Sequence, residues 1–210
     1  MPPEKPSSER LSSSRLEAFS DGVIAVIITI MVLELHVPAK EVSNIDGLHA
    51  LLPLVLVYLL SFVQTGIYWV NHHYLVDDLD PVTHGILWSN LAFLFCLSLL
   101  PFATTWIGNR GISPFAVSLY AITCALPALA WINLSTCISR TTRQPLAGSP
   151  IKQMLSTSLY LGAIPTSYWS PNFALGMIGL VAVLWLVPPG KVIEQTRSFK
   201  ADKQSHSDPS

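Results

Sequence analysis

Asp21 opens an apolar run, Val23 to Leu33, and is the most expensive residue in this sequence to place. A carboxylate inside a membrane helix survives only with a partner or a wet cavity, so by default it marks a functional site. Other side chains capable of chemistry gather in two short stretches, Tyr68-Trp69-Val70-Asn71-His72-His73-Tyr74 and His84 with Trp88, Ser89 and Asn90. An imidazole or an Asn amide can donate to Asp21 and remove the cost of burying it alone. A structural hydrogen-bonded buttress and a proton relay through Asp21 and a His both use these residues. A metal site is the third reading of His72-His73, but adjacent helical residues diverge by about 100°. No i,i+4 His pair or HExxH supports it. GxSxG and phosphate-binding Gly loops are missing as well, so the sequence predicts no enzyme, no cofactor and no resident metal.

These residues sit on elements that composition identifies. The chain has 210 residues, 50% hydrophobic and 12% charged, against roughly a quarter charged in a soluble domain. The apolar residues come in blocks near the ~20 needed to span hydrocarbon, which predicts an all-α polytopic membrane protein. A net charge of −1 gives no reason to expect a nucleic-acid partner. Six helices are predicted, at about 15–36, 48–74, 84–107, 112–138, 151–167 and 171–187, the last two short. Pro53, Pro101, Pro127 and Pro165 lie within or at the ends of spans, where neighbouring helices can re-satisfy freed backbone groups. Residues 1–14 and 191–210 read as polar, disordered ends flanking a membrane domain over 15–190, with no secretory signal peptide. Cys96, Cys124 and Cys137 fall inside apolar runs and imply no disulfide framework.

With six spans both termini share a side. That side carries Lys5, Arg10, Arg15, Arg140, Arg143, Lys152, Lys191, Arg197, Lys200 and Lys203, and the other carries Lys40 and Arg110. The asymmetry predicts cytoplasmic N- and C-termini. The acidic connection around Asp77 and Asp80 counts little in this rule. Arg15, Asp21, the end of the second helix and the start of the third then lie at a similar depth. The fourth to sixth spans hold no second copy of the Phe-Ser-Asp stretch and show no chemistry of their own, so they read as lipid-facing support.

The first helix presents two faces. Ser14-Arg15-Leu16-Glu17 has the form of a capping box, which puts Asp21 about 10 Å along the axis at about 1.5 Å per residue. Phe19, Gly22, Val26, Thr29, Ile30 and Leu33 share one stripe, and Asp21 points away from it on the side of Glu17. A Thr among aliphatics commonly just bonds the carbonyl one turn back.

Arg15-x3-Phe19-Ser20-Asp21-Gly22, followed by an Ile/Val-rich helix with Thr29, Leu33-Glu34 and Pro38, resembles the first helix of the transmembrane protein 175 family. Those are potassium channels of endosomes and lysosomes and their bacterial relatives. Tyr68-Trp69-Val70-Asn71-His72-His73 resembles that family's second helix, and Leu87-Trp88-Ser89-Asn90 with Ser98-Leu-Leu-Pro101-Phe102 its third. The second half agrees in helix count and in its Trp185–Pro188 ending. The resemblance implies a bacterial inner-membrane homotetramer of six-helix subunits with the first helix lining a central pore. It implies K⁺ as the permeant ion, and a hydrophobic constriction with a Thr layer that falls on Val26, Thr29 and Leu33. Arg15, Phe19, Ser20, Asp21, Trp69, Asn71, His72, His73, Trp88 and Asn90 then form the network that supports the pore helix. A proton-coupled secondary transporter using Asp21 and His72 and a non-conducting scaffold are the alternatives.

Overall fold

The computed structural model describes residues 12–35, 44–77, 79–143 and 149–186. Within them lie α1 (Ser13–Leu33), α2 (Asn44–Val76), α3 (His84–Leu97), α4 (Leu100–Arg110), α5 (Pro114–Thr142), α6 (Pro150–Thr166) and α7 (Pro171–Leu186). The expected disordered ends, 1–14 up to Leu11 and 191–210, lie outside the described residues, as do Pro38, Lys40 and Pro188. Four stretches are long and apolar enough to cross a membrane: Ser13–Leu33, Ile45–Val76, His84–Arg110 and Pro114–Thr142. With 17 and 16 residues, α6 and α7 are shorter. At about 1.5 Å per residue each reaches about 25 Å, less than the roughly 30 Å hydrocarbon core.

Local sequence explains most boundaries. Ser113-Pro114 and Ser149-Pro150 start α5 and α6, with the Ser hydroxyl accepting from Ala116 N and Lys152 N and proline in the first turn. These are strong helix-start signals, since proline's missing N–H is an orphan there anyway. Thr83 caps α3 the same way, through Ile86 N. At α1 the expected capping box does not form. Ser12 is the extended N-cap residue, with its hydroxyl 2.9 Å from Ser14 Oγ rather than on the backbone. Ser14 is therefore already inside the first turn, and Glu17 is engaged elsewhere. Between α4 and α5, Gly111 takes φ 74°, a left-handed conformation that glycine adopts at no steric cost.

The third expected span is interrupted. Ser98 and Leu99 form a turn between α3 and α4, with Leu99 N bonded to Cys96 O at 3.3 Å. Pro101 follows, and its ring nitrogen cannot donate to the Leu97 carbonyl one turn back. Pro53, Pro127 and Pro165 leave their helices unbroken.

The central post is α5, which packs against α3, α4, α6 and α7. It buries Val117, Tyr120, Cys124, Trp131 and Leu134 along its length. In contrast α1 lies at the edge, against α2, α3 and α4. It buries Leu16, Ser20, Ile24, Ile27 and Met31, a one-sided stripe at helical spacing.

Candidate functional site

Among the described residues, none covers the opposite face of α1. Phe19, Val26 and Leu33 are 53%, 54% and 75% exposed, and Gly22, Thr29 and Ile30 are exposed with them. Thr29 Oγ1 donates to Val26 O at 2.9 Å, so its hydrogen is spent within the helix while its oxygen keeps lone pairs. An open groove runs beside this face, lined by Phe19, Val26, Ile30, Ser98 and Pro101, at the break between α3 and α4.

Behind that face a chain of hydrogen bonds ties three helices together. Ser20 Oγ donates to Leu16 O at 2.9 Å, which uses the hydroxyl's one hydrogen. It therefore accepts from Asn90 Nδ2 at 2.9 Å. With its amide nitrogen so occupied, Asn90 turns Oδ1 to His72 Nε2 at 2.8 Å, and that nitrogen must carry the imidazole hydrogen. His72 Nδ1 has no partner, and the ring stacks on Phe93 with 5.9 Å between centroids. Ser20, His72 and Asn90 are all fully or almost fully buried.

A second pair of contacts lies nearer the surface. Trp69 Nε1 donates to Asp21 Oδ1 at 2.9 Å, and His73 Nδ1 meets Glu17 Oε1. Asp21 and Glu17 are four residues apart on α1, and Trp69 and His73 four apart on α2. The pairing runs in opposite directions, so it forms two rungs, one turn apart, between antiparallel helices. The donor to Asp21 is thus an indole, where an imidazole or amide was expected. The reason is register: the rung that reaches Asp21 falls on Trp69, which leaves His72 facing α3.

Of the expected support residues, Ser20, Asp21, Trp69, His72, His73 and Asn90 come together. Four do not. Arg15 is exposed, with no side-chain hydrogen bond among the described residues. Phe19 is exposed on the same face as Val26 rather than packed behind it. Trp88, also exposed, donates to His84 Nε2 at 3.1 Å within its own helix. Asn71 donates to Ile67 O at 2.7 Å and lines a cavity toward α5–α7. Conversely, Glu17 belongs to the network, and its i,i+4 spacing to Asp21 was the available signal. His72 and His73 diverge to different partners, Asn90 and Glu17.

A sequence profile described as "Endosomal/lysosomal potassium channel TMEM175" matches residues 15–101, the stretch that holds both sets of contacts. A potassium channel of Chryseobacterium sp. (strain P1-3) is 42% identical over 187 residues, covering 87% of this chain and 96% of its own. The human "Endosomal/lysosomal proton channel TMEM175" is 35% identical over 105 residues, 21% of its length. Among solved structures, the crystal structure of a lysosomal potassium-selective channel TMEM175 homolog from Chamaesiphon minutus superposes with a TM-score of 0.67. It is 27% identical and covers 83% of this chain and 96% of that one. A near full-length relative at this identity, the profile match and the shared fold agree: this chain is an integral membrane protein of the TMEM175 channel family.

Proposed function

We propose that the chain forms a homotetrameric, potassium-selective cation channel of the bacterial inner membrane, with α1 of each copy around a central axis. The observation that carries this reading is the uncovered stripe of Val26, Thr29 and Leu33, opposite the hydrogen-bonded face of the same helix. The names of the bacterial relatives and of the solved neighbour supply the ion.

Four copies of the stripe form a narrow lumen of aliphatic side chains with one layer of Thr oxygens. An ion entering it loses water and receives little in return. The smaller Na⁺ holds its shell more tightly, so partial dehydration costs it more and K⁺ passes preferentially. Aliphatic rings also gate by dewetting. Arg15, Arg140, Arg143 and Lys152 fall at helix ends on one side, which supports cytoplasmic termini. Asp21, Ser20 and Asn90 set the rotation of α1 and do not meet the ion.

Purified protein in a bilayer with K⁺ on one side and Na⁺ on the other tests this. Thr29→Ala moves the reversal potential toward that of an unselective pore, and Val26→Asn raises the current by easing wetting. If both leave potential and current unchanged, this stripe is not the constriction. The runner-up, a proton-coupled carrier built on Asp21 and His72, requires saturable, proton-driven uptake. Asp21 and His72 take separate partners, Trp69 and Asn90, which favours the channel.

A further inference from the structure

On the side of α2 away from α1 lies a cavity between α2, α5, α6 and α7. Gln64, Asn71, Trp131, Tyr160 and Trp185 are among its walls. Gln64 is 3% exposed; its Oε1 accepts from Cys124 Sγ at 3.5 Å, and its Nε2 has no partner. The two α6 hydroxyls on the space, Ser156 and Thr157, have spent their hydrogens. Ser156 Oγ donates to Lys152 O at 2.7 Å and accepts from Trp185 Nε1 at 2.8 Å. Thr157 Oγ1 donates to Gln153 O at 2.9 Å, and Asn71 Nδ2 donates to Ile67 O. That sets an amide donor without an acceptor among the described residues beside hydroxyl oxygens that keep free lone pairs.

One occupant satisfies both. Water accepts from an amide and donates to hydroxyl oxygens at once. Size points the same way. The cavity holds about 30 Å³, and one water needs about 10–15 Å³ on this measure. Ligand pockets run to about 300–1,000 Å³, so neither a lipid tail nor a larger organic molecule fits. A buried amide left without an acceptor is costly, and a water accepting from it removes that cost.

We infer that this cavity is a permanent internal hydration site, holding about two waters, one of them accepting from Gln64 Nε2. It gives the polar residues of α6 a role that lipid-facing support does not. It also stands back to back with the α1 support: Tyr68 lines the cavity and packs edge-on against Phe93 at 5.4 Å, the ring on which His72 stacks.

Radiolytic hydroxyl footprinting of the full-length protein in nanodiscs tests this, because X-rays cleave bound water and label its neighbours. Trp131 and Tyr160, buried at 6% and 3%, should take up oxygen readily. Gln64→Met removes the donor, and Ala182→Leu fills the space without touching it. Each should cut that labelling several-fold while Trp169, 92% exposed, keeps its own. Gln64→Met should also melt no higher than the parent. No labelling of Trp131 or Tyr160 in the parent overturns the inference, as does labelling that both variants leave unchanged. A melting temperature several degrees higher for Gln64→Met overturns it too, since only a dry cavity gains by losing the amide.

Discussion

At the scale of single residues, the decisive feature is that the hydrogen in each buried link behind α1 is assigned. The Ser20 hydroxyl serves Leu16, the Asn90 amide serves Ser20, and the His72 Nε2 hydrogen serves Asn90. Removing one link in such a chain strands the next. Ser20→Ala leaves an Asn90 N–H buried without an acceptor, a cost of about 1–3 kcal/mol. That corresponds to a melting temperature lowered by about 2–4 °C for each kcal/mol in a chain of this size. Glu17→Gln touches a pair whose side chains are 23% and 49% exposed, so it should cost no more than about 1 kcal/mol. Melting curves of the two variants in one detergent check the order. Equal losses would mean that the buried chain is no stronger than the exposed pair.

Elements decide which of these contacts can exist. The phase of α1 was legible in the sequence, because a period of 3.6 residues fixes angles along one helix: Val26 shares a stripe with Thr29 and Leu33, and Asp21 points away from it. The partners were not legible. Whether Asp21 meets Trp69 or His72 depends on the sliding register of α1 against α2, and one residue of slip turns a side chain by about 100°. Asn71 shows this plainly: it lies beside His72 in sequence and faces a different group of helices. The α6 cavity was hidden for another reason. Ser and Thr in membrane helices usually bond their own backbone, as Thr157 and Ser156 do, so their presence gives no sign of a cavity. The break between α3 and α4 carried a signal in Pro101, but Pro127 and Pro165 carry the same signal without breaking. If proline is the cause, Pro101→Ala lets residue 101 donate to Leu97 O and joins α3 to α4 as one continuous helix. A structure of that variant would show the turn at Ser98 lost, whereas a turn that persists assigns the break to packing by α1 and α5.

For the whole molecule, the packing of one chain argues where an ion path can lie. The interior around α5 is filled: Phe93, Tyr120, Leu134 and Ile178 are all fully buried. The space between α2 and α5–α7 admits about two waters by the volume a water needs. Among the described residues, then, a packed interior and a space of that size fit the proposed lumen between copies better than a path through one chain. Exposure alone does not choose the lumen face, because lipid covers apolar side chains as readily as protein does. The proposal of α1 rests on its asymmetry, with polar anchoring behind and a hydroxyl among aliphatics in front. Cross-linking reads this directly. In a background with Cys96, Cys124 and Cys137 replaced by Ala, the double variant Val26→Cys/Leu33→Cys carries two thiols per chain, so a short bismaleimide should join copies into a ladder ending at four times the 23.0 kDa chain. Trp169→Cys, on the exposed turn between α6 and α7, should remain at one chain mass under the same treatment. A two-chain band from Trp169→Cys with no ladder from the double variant would turn the subunits around, putting α6 and α7 at the axis and α1 in the lipid.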